Sequence, residues 1–196
     1  DSEGAMPLLS PKRASWPILE GLPAPHRGKV CDTYRLPTPK VLMPVATDGI
    51  SIFDFVLDAL VPDKGKVLTA MKHFFLTMLE SYGIKTHLVA AGAAIDEYLP
   101  AVYRNRPELQ SRALIVQELR MHLNEFIARG CLTGSGLKDY LKTGMVCGVA
   151  LPPGLQDGDA LPYVLDTPTT KSETGHDKPL SADFIRQKYP KETRLL

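Results

Sequence analysis

Helical and strand periodicities are interleaved along this 196-residue chain, which predicts a fold of mixed α and β type. Three stretches carry that expectation. Arg27–Leu36, with Val30, Thr33 and Tyr34, and Lys40–Thr47 flank a Pro37-Thr-Pro39 turn and predict an antiparallel hairpin. In Val67–Tyr82, the residues Val67, Leu68, Met71, Phe74, Phe75, Met78, Leu79 and Tyr82 recur at spacings of three and four, and Gly83 follows. That pattern predicts an amphipathic helix whose Met and Phe stripe enters the core. In Leu123–Tyr140, a strand-like alternation runs into Arg129, then a Thr133-Gly-Ser-Gly136 turn, then a short helix from Leu137.

The length suits one large domain or two small ones, with chain enough for a real core. A net charge of +1 gives no global field for gripping nucleic acid or a membrane surface, so any anion must be met locally. No apolar run approaches the roughly 18 residues of a membrane span. The opening Asp1–Met6 lacks the basic and apolar regions of a secretory signal. Cys31, Cys131 and Cys147 are odd in number and lack metal-ligand spacing, which suits a reducing cytoplasm and three small buried hydrophobes.

Taken in order, the first 26 residues are proline-rich and irregular. Gly28-Lys29 at the hairpin entrance can lie over phosphates, the glycine permitting close backbone approach and the lysine adding charge, although the Walker spacing is absent. The other account of the pair is a turn with a solvated lysine. Pro44 places its strand at a sheet edge. Asp48 and Asp54 stand among Ile50, Ile52, Phe53 and Phe55, and carboxylates in such company are either paired or used. Asp54 is therefore a candidate site residue, or else an acceptor of backbone N–H bonds in a turn. Thr86–Ala90 reads as a strand and Ile95–Leu99 as a helical turn ended by Pro100. Arg104, Arg106 and Arg112 read as a solvated basic loop, and Arg112–Leu119 as a central strand leading to a hinge.

Arg129 ends a strand with a planar fork of donors suited to carboxylate or phosphate. The turn after it opens a helix whose first N–H groups lack partners. The plainer account is that Ser135 caps that helix and the glycines make the turn. Thr167–Lys178 gathers hydroxyls with Lys171, Glu173, His176 and Asp177 and has too little apolar surface to order itself, so it is disordered or ordered by a ligand. His176-Asp177 lacks a nucleophile constellation. Ser181 caps a last helix of about two turns.

In order and spacing, six motifs resemble the phosphoribosylaminoimidazole-succinocarboxamide synthase (SAICAR synthase) family. They are Gly28-Lys-Val-Cys-Asp-Thr-Tyr34, Ala46-Thr-Asp-Gly-Ile-Ser-Ile-Phe-Asp54, Pro62-Asp-Lys-Gly-Lys-Val-Leu-Thr69, Glu125-Phe-Ile-Ala-Arg-Gly-Cys-Leu-Thr-Gly-Ser-Gly-Leu-Lys-Asp-Tyr140, Lys142-Thr-Gly-Met-Val-Cys-Gly148 and Thr167-Pro-Thr-Thr-Lys-Ser-Glu-Thr-Gly-His-Asp177. The resemblance implies an α+β fold: a kinase-like antiparallel nucleotide-binding lobe over residues 12–119, and over 120–196 the start of a mixed α/β substrate-binding lobe that is cut short. It implies a carbon–nitrogen ligase of purine biosynthesis that uses ATP and Mg2+ to join carboxyaminoimidazole ribotide to L-aspartate. The implied setting is cytoplasmic, without nucleic-acid or membrane partners. A homo-oligomer is compatible with the sequence.

By the same resemblance, Gly28, Lys29 and Val30 cover the ATP phosphates, and Gln117 and Leu119 lie near the adenine. Arg129 and Ser135 hold the ribotide with Asp54 and Asp177 as polar anchors, Lys171 and His176 belong to the same loop, and Glu125 is structural. No catalytic or metal-ligating residue is assigned. Two departures stand out: Cys31 occupies a position where the family usually has a basic residue, and the family's later Asp-x-Lys-x-Glu-Phe-Gly strand has no match. Mg2+ demands oxygen ligands in near-octahedral array. A nucleotide or ribotide binder without turnover, or a ligase acting on a related carboxylate, would share the same anchors.

Overall fold

The computed structural model describes residues 17–52, 55–170 and 180–190. The chain divides into two compact units, one ending at Leu119 and one beginning at Arg120. Both mix helices with strands, and every strand pairing among the described residues is antiparallel. No helix among those residues is long and apolar enough to cross a membrane.

The first unit contains β1 (His26–Arg27), β2 (Cys31–Arg35), β3 (Val41–Ala46), β4 (Gly49–Ile52), β5 (Phe55–Leu60), α1 (Lys64–Ser81), β6 (Leu88–Ala91), α2 (Pro107–Arg112) and β7 (Leu114–Gln117), with two 3-10 turns between β6 and α2. Five of the strands form one sheet in the order β1-β2-β3-β7-β6, and β4 and β5 form a separate ribbon. The β2–β3 hairpin has the register Tyr34 opposite Met43 and Asp32 opposite Val45. Alternation therefore sends Tyr34, Met43, Val45 and Ile115 to one face, where all four are fully buried with Ile95 and Leu109. The opposite face carries Cys31, Pro44, Ala46 and Leu114.

The fold departs from the expected pattern at Pro44 and in the orientation of α1. Pro44 lies on the middle strand of the sheet, not an edge. It is tolerated because β3 pairs with β7 only at Val41 and Leu42, with one further bridge at Val45, so the proline's missing N–H falls where that ladder is already interrupted. Helix α1 forms as its periodicity predicts, but its buried residues are Gly65 and Thr69. The Met and Phe stripe stays outside: Met71 is 50% exposed, Phe74 63% and Phe75 49%. Small residues set this orientation. A Cβ on Gly65 would lie 2.6 Å from the Ala46 carbonyl oxygen, and the Thr69 hydroxyl donates to the Arg112 carbonyl at 3.0 Å. The helix ends as foreseen, with Gly83 at φ 78° donating to the Glu80 carbonyl.

The second unit contains β8 (Asn124–Glu125), β9 (Ala128–Cys131), α3 (Gly134–Thr143), β10 (Met145–Val146), β11 (Val149–Ala150), β12 (Ala160–Asp166), β13 (Thr169–Thr170) and α4 (Ala182–Lys188). The alternating run at Leu123–Ala128 does not become one strand. It breaks at Phe126 and Ile127 because β8 pairs with β13 whereas β9 pairs with β12. Leu132, Tyr140, Val146, Leu151, Leu161 and Leu165 form the core of this unit. Tyr140 pins the 151–158 loop, donating its hydroxyl proton to the Pro152 carbonyl at 2.7 Å and accepting from the Leu155 N–H at 3.1 Å. Ser181 caps α4, its Oγ accepting from the Phe184 N–H.

Candidate functional site

The Gly28–Val30 turn between β1 and β2 is closed by the Gly28 N–H, which donates to the Cys31 carbonyl at 2.8 Å. A Cβ at Gly28 would come within 3.0 Å of that same oxygen, so only glycine fits the turn without displacing backbone. Its far end is fixed by Thr47, whose N–H and hydroxyl both donate to the Val30 carbonyl at 3.0 Å. Val30 and Cys31 also line a cavity of about 300 Å³ bounded by Pro44 and Ala46 of β3, Leu114 of β7, Arg112, and Leu68, Thr69 and Lys72 of α1. Burial pushes the Cys31 thiol above its usual range, and the Lys72 ammonium pulls against that rise. Gln117 is held by its N–H, which donates to the His87 carbonyl at 2.8 Å. Its side chain borders a separate cleft with Glu80, Ile84 and Thr86. Leu119 is exposed. Neither residue lines the cavity under the turn.

Beside that cavity lies an ion network that sequence reasoning missed. Arg112 is only 5% exposed. Its Nη1 and Nη2 donate to the two oxygens of Asp48 at 2.5 and 3.0 Å, and its Nε donates to Glu108 at 2.7 Å. Lys66 bridges Asp63 and Glu108, both at 2.8 Å. The Arg112 guanidinium, together with the Gly65 N–H, holds the Asp48 carboxyl down at about 2. Asp48 is thus a paired carboxylate, as its apolar neighbours require. Arg112 is no part of a solvated basic loop. The signal lay in the sequence itself, since an arginine directly before Ala-Leu-Ile-Val at the mouth of a central strand cannot remain solvated.

In the second unit, Arg129 of β9 lies across the start of α3. Its Nη1 donates to the Thr133 carbonyl at 3.1 Å, and its guanidinium rests against Gly136, where a Cβ would sit 3.2 Å from Nε and 3.3 Å from Cζ. The Nε–H is buried and has no hydrogen-bond partner among the described residues. The N-cap position is Thr133, which makes no side-chain cap bond, and exposed Ser135 lies within the first turn instead of capping it. Arg129, Ser135 and the uncapped first-turn N–H groups therefore share one locality, a donor-rich spot suited to a carboxylate or phosphate. Nearby, burial first and then Asp139 push the Cys147 thiol up, while Arg129 opposes the rise.

Asp54, Lys171, His176 and Asp177 lie outside the described residues. Among the described residues no group of three or more His, Cys, Asp and Glu is placed to hold a metal ion. These side chains do not by themselves fit a magnesium site.

A family profile described as SAICAR synthetase matches residues 24–194. The chain is 46% identical over 159 residues to the phosphoribosylaminoimidazole-succinocarboxamide synthase of Mycobacterium bovis (strain BCG / Pasteur 1173P2), a match covering 81% of this chain and 50% of that protein. It is 40% identical over 175 residues to the synthase of the same name from Thermodesulfovibrio yellowstonii, covering 89% of this chain and 58% of the relative. Its fold resembles a SAICAR synthase from Saccharomyces cerevisiae complexed with SAICAR, with a TM-score of 0.78 at 33% identity over 92% of this chain and 60% of the yeast chain. The chain thus spans about half the length of curated relatives that it matches. With its glycine turn, its Arg129 site and these likenesses together, the chain belongs to the SAICAR synthetase family.

Proposed function

We propose that the protein is an ATP-dependent ligase joining carboxyaminoimidazole ribotide to L-aspartate, giving SAICAR, ADP and phosphate. The observation that carries this reading is the Arg129 guanidinium laid over the uncapped start of α3 with its Nε–H unpartnered among the described residues. It is supported by the names of the relatives and by the yeast neighbour, which is complexed with SAICAR. A carboxylate resists attack by an amine because its carbon is electron-rich and oxide is a poor leaving group. Transfer of the γ-phosphoryl group to a carboxylate oxygen releases ADP and leaves an acyl phosphate. The aspartate nitrogen then bonds to the acyl carbon, the carbon–oxygen bond to phosphate breaks, and the amine proton is lost.

Within that scheme the unit ending at Leu119 is the kinase-like nucleotide lobe, corresponding to residues 12–119, and residues 120–196 contribute to the substrate lobe. Gly28, Lys29 and Val30 cover the phosphates, and Gln117 and Leu119 meet the adenine. Arg129 and Ser135 hold the ribotide, with Asp54, Asp177, Lys171 and His176 as its further anchors. Mg2+ enters only as the counter-ion of ATP, and no catalytic residue is assigned. A substrate set of ATP and L-aspartate makes the cytoplasm the proposed compartment.

An assay of ADP release with ribotide and aspartate, run on the full natural-length protein, tests the reading. Arg129→Lys is expected to lower kcat/KM about 10- to 100-fold with no change in the thermal midpoint, because a point charge cannot reproduce a fork of donors. Unchanged kinetics would remove Arg129 from the site. Calorimetric binding of nucleotide or ribotide without any turnover would replace the ligase with a binder.

A further inference from the structure

We propose that Lys72 is a phosphate-contacting residue of the nucleotide site, receiving the anionic end of a nucleoside di- or triphosphate in the cavity beneath the Gly28–Val30 turn. The inference rests on the ATP-dependent reading above. The geometry comes from α1, where Lys72 stands three residues after Thr69 and four after Leu68, so all three occupy one helical face and line the same cavity. Pro44, Ala46, Leu68 and Leu114 make most of that wall apolar, so a charge at its edge is poorly screened. Two cations border it, and they differ in what they already hold.

Arg112 is already engaged: each of its three nitrogens donates to a carboxylate, Nη1 and Nη2 to Asp48 and Nε to Glu108. Lys72 is exposed and makes no ion pair or hydrogen bond among the described residues. Other cations of the unit behave differently, since Lys66 is bound to Asp63 and Glu108 and Arg35 to Glu118. Two titratable groups that feel the Lys72 ammonium, Cys31 and His87, are neutral. The Cys31 thiol keeps its proton because burial raises its pKa, and the His87 imidazole is held below its usual pKa by burial first and by Lys72 second. Asp32 is fully buried, and its place opposite Val45 turns it to the other face of the sheet. A compact ammonium without a bonded carboxylate among the described residues, at the edge of the cavity beneath the Gly28–Val30 turn, suits a polyanion.

Calorimetric titration of the whole chain with ATP in MgCl2, and separately with adenosine, tests this in the native protein and in Lys72→Met, Lys72→Arg and Lys72→Glu. The expected result is that Lys72→Met weakens ATP about tenfold, that Lys72→Glu weakens it further, and that Lys72→Arg retains most of the affinity. Adenosine should bind all four alike, and unchanged thermal midpoints would show that the fold is intact. ATP binding that is equal in the native and Lys72→Met proteins overturns the Lys72 assignment and leaves the nucleotide reading standing. An equal loss for adenosine overturns it too, because the lysine would then act through shape. Failure of the native protein to bind either ligand sinks both readings together.

Discussion

Arg112→Leu is expected to remove about 3–5 kcal/mol of stability, seen as a lower urea midpoint with an unchanged slope. The size follows from what is left behind. Asp48, with 20% side-chain exposure, would lose both of its guanidinium hydrogen bonds, and Glu108 would lose one. Removing one partner of a desolvated pair costs far more than replacing both, so Asp48→Asn in the Arg112→Leu background should recover part of the loss. Strict additivity of the two substitutions would contradict the network.

The same pair sets an acid dependence. The Asp48 carboxyl is lowered from 3.8 to about 2 in the folded chain, first by its hydrogen bonds from Arg112. A depressed folded value means that the contribution is complete above the unfolded pKa, near pH 4, and drains away as pH falls toward 2. Thermal midpoints of the native chain should therefore drop across that interval. The drop should be smaller in Asp48→Asn, and equal drops in both would exclude Asp48 as its source.

Gly65→Ala is expected to destabilise by about 2 kcal/mol, against the ordinary helix preference for alanine of about 1 kcal/mol in the other direction. The added methyl would lie 2.6 Å from the Ala46 carbonyl oxygen and 2.6 Å from Arg112 Nη1. The first is backbone of a central strand, and the second is locked onto Asp48, so neither neighbour can retreat. Gly130→Ala is the control, since a Cβ there meets nothing within 4 Å. A Gly65→Ala protein as stable as the native chain would mean that α1 does not sit against β3 through this glycine.

The secondary structure of Lys64–Ser81, Leu114–Gln117 and Gly134–Thr143 was legible because a 3.6-residue or unbroken apolar pattern runs through each. What lay beyond the pattern was direction. Periodicity says that α1 has an apolar stripe, but the choice of face belongs to two small residues whose sizes carry no hydrophobic signal. Pro44 misled for a related reason: propensity places proline at edges, and only the register with β7 reveals an interruption in mid-sheet. The Arg129 turn could be anticipated from residue order alone, since a strand, two glycines and a helix in succession must present free N–H groups. Arg112 could not be assigned a partner, because Asp48 is 64 residues away and such pairings are made by topology.

Helix α1 has two sides that tolerate enlargement very differently. On the side of Gly65, a single extra carbon is resisted by main-chain atoms. On the side of Met71, Phe74 and Phe75, which are about half exposed or more, a polar substitution should leave the packing of the sheet intact.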